Sequence, residues 1–352
     1  MIDPQTPLVE LHRHLDGNMR LETMLDLGRQ HNLPLPAWDA QGLRPHAQVV
    51  DAPGGDSTMP SVMAFIAKFR WLTACLVDYD ACRRLAFENV EDAQRDDIDH
   101  IELRFSPWFM AESHALDPDG VVEAVVDGIE AGKREFGVGV SLIGILSRTY
   151  GPEIAWRELE ALLHYRDRLV ALDLAGNEAN YPATLFAEHF QRARAVGWQI
   201  TVHAGEFAGP ESVWQALLEL GASRIGHGVA AGDDPHLLSY IAEHQIGIET
   251  SLTSNVQTST VPDFASHPAR GFMEKGVLVT LNTDDPGISG IDLPHEYEVA
   301  APAAGFTKEQ IHQAQRNALS VAFLTPEERE TLLADFTGKG NKQVKPRREP
   351  GK

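Results

Sequence analysis

The chain has 352 residues, of which 43% are hydrophobic and 23% are charged, and its formal net charge is −21. This length suits one large α/β barrel or two ordinary domains, and the negative charge argues against nucleic acid or another polyanion as a partner. The sequence holds two cysteines, Cys75 and Cys82, which favours a reducing compartment and predicts no disulfide between them.

The ends of the chain carry no targeting signal that we recognise. Residues 1–4, Met-Ile-Asp-Pro, lack a basic region, and no apolar run approaches the length that spans a bilayer. We therefore expect a cytoplasmic protein that does not engage a membrane. Residues 338–352 are rich in Gly, Pro, Lys and Arg, and we predict that they form a disordered basic tail after a single domain at 1–337.

Apolar, β-branched segments alternate with helical patterns along the chain. The predicted strands cover 8–14, 98–106, 138–147, 169–176, 199–203, 223–227, 246–251 and 277–282. Helical patterns cover 21–31, 77–97, 117–135, 153–168, a stretch ending at 196, 210–220 and 235–244, and further helices surround and follow the last strand. Thr325 and Glu328 predict a capping box at the final helix.

Eight strands that alternate with helices predict an α/β fold, a (β/α)8 TIM barrel built on a parallel sheet. Between strands 1 and 2, residues 34–60 are rich in Pro, Gly and Asp without a sustained period, and a helical segment follows. We interpret this region as an extended helical lid insertion. In that segment Phe65, Ile66 and Phe69 share one helical face, which is either a core stripe or a lid over a ligand.

Ionisable residues follow four of the predicted strands. His12 and His14 end strand 1 and point to the same face, His203 ends strand 5, and Asp284 follows strand 8. In a TIM barrel these ends form the active-site face, and strands 8 and 1 are neighbours. Three imidazoles and one carboxylate suit zinc with water as an exchangeable ligand. Strand 4 ends without the lysine that bridges two metals in related barrels, which predicts one metal ion.

Three further residues at these strand ends have side chains suited to catalysis. Glu206 can donate a proton to a substrate atom, His227 can orient a hydroxide and stabilise its charge, and Asp285 can accept the proton of water. Each also has a structural interpretation: a helix cap for Glu206, a packed ring for His227 and a turn residue for Asp285. Their occurrence in one constellation favours catalysis.

The motifs His12–Gly17, His203–Glu206, His227–Gly228 and Thr283–Pro286 resemble those of the adenosine deaminase family over about residues 8–335. The resemblance implies a zinc-dependent barrel that converts adenosine to inosine and ammonia in purine salvage. It also implies a role for each matching residue, as follows: zinc ligands His12, His14, His203 and Asp284; Glu206 protonating the purine N1; His227 and Asp285 activating and holding the hydroxide; His14 and Asp285 also contacting substrate; the Gly176 N–H meeting N3; Asp16 meeting the ribose; and Phe65, Ile66 and Phe69 forming an apolar lid.

Asp16 bears on the choice of substrate. It lies two residues after His14 on the same strand face, and related adenine deaminases usually carry Glu at this place. The shorter Asp leaves room for a sugar, which favours adenosine and 2′-deoxyadenosine over adenine, and its charge disfavours AMP. A helix cap is the structural alternative for Asp16. An adenine or N6-substituted purine deaminase with the same metal site is the alternative function. A catalytically inactive binding protein would be expected to lack Glu206 or a ligand.

Overall fold

The computed structural model describes residues 1–50 and 61–340 of the chain. In this part, eight parallel strands pair in chain order, as the sequence predicted. The strands are β1 Val9–His14, β2 His100–Phe105, β3 Gly139–Ser147, β4 Ala171–Ala175, β5 Gln199–Ala204, β6 Arg224–His227, β7 Gly247–Thr250 and β8 Leu278–Leu281. With helices around it, this sheet is a nearly closed (β/α)8 barrel.

The helices surround the sheet and bury their apolar faces against it. They are α1 Leu21–His31, α2 Ala40–Ala47, α3 Ser61–Ile66, α4 Phe69–Cys75, α5 Tyr79–Arg95, α6 Pro107–Glu112, α7 Pro118–Phe136, α8 Gly151–His164, α9 Ala187–Ala195, α10 Pro210–Gln215, α11 Pro235–Glu243, α12 Leu252–Gln257, α13 Ala269–Glu274, α14 Pro286–Ser289, α15 Leu293–His295, α16 Ala301–Ala303, α17 Lys308–Val321 and α18 Pro326–Gly340. Helix α10 continues as a π-turn to Leu220, where Gly221 adopts the left-handed conformation that ends it.

The barrel closes between β1 and β8 through a short seam. Arg13 and Asp284 form an isolated parallel bridge. The Asp284 N–H donates to His12 O at 2.9 Å, and the His14 N–H donates to Asp284 O at 2.8 Å. The closure therefore joins, through the backbone, two histidines and one aspartate that the sequence analysis selected as metal ligands.

Charged side chains fill the barrel interior below this seam. Arg104 on β2 bonds Asp173 on β4 at 2.8 Å and Glu249 on β7 at 2.7 Å. Arg224 on β6 bonds Glu249 at 2.7 Å and also pairs with Glu102. All five side chains are buried. Since buried charges need paired, hydrogen-bonded partners, we call these five residues the interior ion-pair ladder.

The insertion between β1 and β2 is more helical than the sequence predicted. The Asp39 side chain accepts from the Gly42 N–H and caps α2, a helix that the composition of residues 34–60 did not reveal. Residues 51–60 of this stretch lie outside the described residues. The segment that follows is two helices, α3 and α4, instead of one, so Phe65 is buried while Ile66 is 52% exposed. The single apolar face predicted for Phe65, Ile66 and Phe69 is therefore interrupted.

The C-terminal part of the domain follows the predicted pattern. Thr325 and Glu328 exchange hydrogen bonds at 2.8 and 3.2 Å and form the predicted capping box of α18. This helix runs to Gly340, and residues 341–352 of the predicted tail lie outside the described residues. Cys75 and Cys82 are free and buried, on α4 and α5. Within residues 1–50 and 61–340, every helix is too short or too polar to cross a membrane.

Candidate active site

The four predicted metal ligands converge at the C-terminal mouth of the barrel. One donor atom from each of His12, His14, His203 and Asp284 lies within 4.8 Å of the other three. Asp284 Oδ1 is 3.2 Å from His12 Nε2 and 3.4 Å from His14 Nε2, and the Nε2 atoms of His14 and His203 are 3.1 Å apart. Three strands, β1, β5 and β8, thus direct four donors to one point.

Carboxylates behind the three rings determine which nitrogen faces this point. His12 Nδ1 lies 2.8 Å from Glu249 Oε2, and His203 Nδ1 lies 3.0 Å from Asp173 Oδ2. A carboxylate accepts a hydrogen bond, so each Nδ1 carries the proton and each Nε2 presents a lone pair. His14 has the same arrangement, with Nδ1 3.4 Å from Asp16 Oδ1.

The donor set fits a metal ion. Three lone pairs and a carboxylate oxygen that face one another repel unless a cation lies between them, and His12 Nε2 is buried without a hydrogen-bond partner. Burial disfavours the charged form of His14, but the surrounding carboxylates, Asp285 foremost, raise the pKa of this ring to about 9, so Nε2 of His14 binds either a proton or, in its place, a metal ion. The site therefore attracts positive charge. Nitrogen and carboxylate ligands with this geometry are typical of zinc in a hydrolase.

Asp285 lies beside this cluster. The position of its carboxyl group depends on a glycine in the turn that follows β1. A Cβ atom at Gly17 would lie 1.6 Å from Asp285 Oδ1, so a larger residue at position 17 would displace the carboxyl group. Asp285 Oδ1 is buried and has no hydrogen-bond partner. Burial and the charge of Asp284 raise the pKa of Asp285 well above its ordinary value. Asp285 therefore holds a strongly proton-attracting oxygen at the edge of the cluster.

The loop after β5 carries Glu206 and is held by one buried carboxylate. Glu178, on the segment after β4, accepts from the N–H groups of residues 205–208 at 2.6, 3.1, 2.8 and 3.2 Å. Burial and the charges of Asp284 and Glu178 raise the pKa of Glu206 well above its ordinary value. The raised pKa makes Glu206 hold a proton more strongly than an exposed carboxyl group does, which suits a general acid.

His227 ends β6 with its ring between Glu206 and Asp284. Its Nε2 lies 3.6 Å from Glu206 Oε2 and 3.9 Å from Asp284 Oδ2. Burial lowers the pKa of His227 well below its ordinary value, so the ring is neutral. His227 and Asp284 both have positive φ, 62° and 66°, a conformation that non-glycine residues adopt at a cost and that clusters at functional sites.

The short helix α12 supplies hydrogen bonds to the side chains of Asp284 and His227. Ser254 Oγ donates to Asp284 Oδ2 at 2.7 Å, and Asn255 Nδ2 lies 3.0 Å from His227 Nδ1. Glu296 accepts from the N–H groups of Leu252 and Thr253 at 3.0 and 3.1 Å and so fixes the start of α12. The Ser-, Thr- and Pro-rich sequence after strand 7 predicts a loop, and helix α12 corrects this prediction.

The predicted substrate-binding residues lie just after strands β1 and β4 and on helices α3 and α4. Asp16 is buried and accepts from the Ser106 N–H at 2.9 Å. Gly176 has φ 107°, and a Cβ there would lie 2.5 Å from Thr149 Oγ1, so this position requires glycine. Phe69 packs edge to face on Phe65 and on Phe109, with ring centroids 6.0 and 5.7 Å apart. Exposed Ile66 stands apart from this aromatic group.

Sequence reasoning missed the residues that support the ligands. Glu249, Asp173 and Arg104 lie inside strands that were interpreted as nearly continuous apolar runs. A signal was available, because β2 reads His-Ile-Glu-Leu-Arg-Phe and alternates charged with apolar residues. Alternation of this kind indicates a strand with charged side chains on one face and apolar side chains on the other.

Comparisons with known proteins agree with this geometry. A family model described as Adenosine deaminase matches residues 7–338. The adenosine deaminase of Edwardsiella ictaluri is 56% identical over 332 residues, which are 94% of this chain and 98% of that protein.

The chain belongs to the adenosine deaminase family.

Solved structures support the family assignment at the level of the fold. The adenine deaminase of Arthrobacter aurescens has a TM-score of 0.85 and 23% identity, covering 96% of this chain and 99% of that one. An amidohydrolase of Burkholderia ambifaria, solved with bound zinc, has a TM-score of 0.83 and 25% identity, covering 96% and 91%. Membership of the family makes this chain a deaminase among the hydrolases.

Proposed function

We propose that this chain hydrolyses adenosine and 2′-deoxyadenosine to inosine and 2′-deoxyinosine with release of ammonia, using one zinc ion per chain. The observation that carries the proposal is the convergence of His12, His14, His203 and Asp284 beside Glu206, a carboxyl group whose pKa burial raises well above its ordinary value. Support for zinc comes from the donor types and from the zinc-containing amidohydrolase with the same fold.

The residues around the donor cluster divide the chemistry between them. When bound, a zinc ion acidifies water and so supplies a nucleophile at neutral pH. Asp285 accepts the proton of that water, and the N–H of His227 faces the attacking oxygen. Glu206 donates its proton to N1 of the purine, which makes C6 electrophilic. Water thus supplies the oxygen of the product, one of its hydrogens leaves with the amino group as ammonia, and the other replaces the proton that Glu206 gave to N1.

Asp16 decides between nucleoside and base. Its carboxylate is buried beside His14 and can accept a hydrogen bond from a ribose hydroxyl. When the base alone binds, Asp16 keeps its Ser106 and His14 partners but gains no hydrogen bond from a ribose hydroxyl, which disfavours adenine relative to the nucleoside. The phosphate of AMP would approach the same carboxylate and be repelled. The substrate is therefore a purine nucleoside.

The deciding experiment is a spectrophotometric assay of adenosine, 2′-deoxyadenosine, adenine and AMP side by side, with wild type, Asp16→Ala and a control, Asp80→Ala, which removes an exposed carboxylate on α5. We expect Asp16→Ala to lower kcat/KM for adenosine far more than for adenine, and Asp80→Ala to change neither. A wild-type preference for adenine, or an equal loss on both substrates, would support the adenine deaminase alternative. Metal analysis should find about one equivalent of zinc per chain, and a need for two would contradict the single-metal site.

A further inference from the structure

A chain of hydrogen bonds runs from the backbone of α13 to the side of His227 that faces away from the metal ligands. The Ala269 N–H, in the first turn of α13, donates to His267 Nδ1 at 3.2 Å. His267 Nε2 lies 3.1 Å from Asn255 Oδ1, and Asn255 Nδ2 lies 3.0 Å from His227 Nδ1. All three side chains in this relay, His267, Asn255 and His227, are buried. The catalytic scheme above does not use His267 or Asn255.

The direction of every hydrogen bond in this relay follows from its first donor. A backbone N–H is always a donor, so His267 Nδ1 is an acceptor. Burial lowers the pKa of His267 to about 4, so the ring is neutral and its single proton is on Nε2. That N–H must face the oxygen of Asn255, which fixes the orientation of the amide.

The amide group of Asn255 then determines the state of His227. Its NH2 group faces His227 Nδ1, which must accept, and the proton of the neutral His227 ring is therefore on Nε2. That Nε2–H points toward Glu206 and Asp284, at 3.6 and 3.9 Å. The opposite tautomer would bring two N–H groups face to face at one link of the relay. Buried donors that lack acceptors are rare, so the backbone of α13 selects one tautomer.

We propose that Asn255 and His267 are positioning residues that hold His227 in the neutral Nε2–H tautomer, so that His227 donates a hydrogen bond to the attacking oxygen instead of removing its proton. Proton removal then falls to Asp285, whose buried Oδ1 has no other partner. This inference rests on the proposed function for its catalytic consequence, but the tautomer itself is a property of the protein with any substrate.

The first test is nitrogen-15 NMR of the zinc-loaded protein labelled at its imidazoles, with His227 signals identified by their loss in His227→Gln. We expect a protonated Nε2 and a bare Nδ1 on His227. A protonated Nδ1 would overturn the proposal, whatever the substrate of the enzyme proves to be.

The second test compares two substitutions of the same kind. His267→Phe removes the donor to Asn255, whereas His189→Phe removes a buried histidine that bonds Pro152 O, far from the relay. We expect His267→Phe to keep its zinc, to show mixed tautomers of His227 and to lower kcat about 10–100-fold with little change in KM. His189→Phe should leave the His227 signals and kcat unchanged.

Two further variants keep the proposal testable if His267→Phe does not fold. His267→Gln retains an N–H that can reach Asn255 Oδ1, so it should restore much of the lost kcat. Asn255→Asp puts an acceptor opposite His227 Nδ1, so it should move a proton to that nitrogen and lower kcat. Folded His267→Phe with one unchanged tautomer and full kcat would refute the relay. If adenosine were not the substrate, the same kinetic comparison would use the base that reacts, and the NMR result would stand.

Discussion

The surroundings shift the pKa values of three neighbouring carboxyl groups, those of Asp284, Glu206 and Asp285, in opposite directions. Asp284 lies among His227, His12 and His14, which outweigh burial and lower its pKa well below the ordinary value. Glu206 and Asp285 are buried next to that negative charge, which raises the pKa of both. Because these pKa values are separated, Asp284 is the carboxylate suited to bind a metal ion. Glu206 is able to give a proton, and Asp285 is able to hold one.

The first prediction concerns the acid. Glu206→Gln preserves the shape of the side chain and its backbone contacts but has no carboxyl proton, so kcat should fall about 10²–10⁴-fold. Zinc content should stay near the wild-type value, because Glu206 is not among the four converging donors. Glu211→Gln, an exposed residue on neighbouring α10, is the matched control. A Glu206→Gln enzyme with more than about a tenth of wild-type kcat would show that general acid catalysis by Glu206 is not needed.

Glu158 gives a pH prediction away from the metal ligands. This α8 residue is buried and accepts from Ser106 Oγ at 2.5 Å, Ser147 N at 2.8 Å and Trp108 N at 3.3 Å. Burial outweighs these donors and raises the pKa of Glu158 from 4.5 to about 8. A raised pKa in the folded state adds stability that is fully present below 4.5 and is lost as the pH rises toward about 8.

The melting temperature of wild type should therefore fall relative to that of Glu158→Gln as the pH rises from about 5 to about 8, since Gln mimics the protonated carboxyl and does not titrate. The total effect is of the order of a few kcal/mol. Glu160→Gln changes an exposed residue on the same helix. The difference in melting temperature between wild type and Glu160→Gln should therefore stay constant across this pH range. If the melting temperatures of wild type and Glu158→Gln differed by the same amount at every pH in this range, the pKa of Glu158 would lie near its ordinary value.

At the scale of elements, the strands and most helices could be predicted, because their apolar periods are strong. Helices α2, α6 and α12 were not predicted. Asp39 and Glu296 cap α2 and α12, and a cap supplied by a residue more than forty positions away, as with Glu296, leaves no local pattern. The convergence of His12, His14, His203 and Asp284 could be predicted because each lies near the C-terminal end of an apolar strand. Their supports, Glu249 and Asp173, could not be assigned from sequence alone, because their partners lie on other strands.

The interior ion-pair ladder connects the strands with the ligands. Arg104 bonds Asp173 and Glu249, and these carboxylates bond His203 and His12. Arg104 also donates to Leu11 O at 2.6 Å, immediately before His12. One guanidinium therefore balances the two carboxylates that orient two metal ligands, and the barrel interior acts as the support of the site rather than as an apolar core alone.

Removal of this guanidinium should damage both stability and metal binding. Arg104→Met leaves buried Asp173 without its guanidinium partner and leaves Glu249 with Arg224 alone, so we expect a loss of about 3–5 kcal/mol in the free energy of unfolding and weaker zinc binding by about 10–100-fold. Arg316→Met breaks a surface pair with Glu309 and should change stability by less than about 1 kcal/mol. Chemical denaturation and zinc titration measure the two effects. Equal losses in both variants would mean that the ladder contributes no more than a surface pair.

At the scale of the whole molecule, closure of the barrel and binding of the metal depend on the same residues. Between β1 and β8 the backbone supplies one bridge, at Arg13 and Asp284. Side chains supply most of the rest: Asn282 Oδ1 accepts from the Leu11 N–H at 2.9 Å, and Glu10 accepts from the Thr283 N–H at 2.8 Å. Since β1 and β8 also carry three of the four ligands, a metal ion would bridge the seam where the sheet itself is weakest.

Removal of the metal should therefore open the barrel locally rather than weaken it evenly. A ligand that binds only the folded state stabilises it by RT ln(1 + [L]/Kd), so chelation should lower the melting temperature and zinc should restore it. Hydrogen exchange should increase most at His12–His14 and Thr283–Asp284, and least at β3, which pairs over six residues with β2 and five with β4. His203→Ala, which removes a ligand on the opposite wall, should reproduce this pattern without chelator. An even increase around the barrel would show that the seam is held by its backbone and side-chain hydrogen bonds, and that the metal serves chemistry alone.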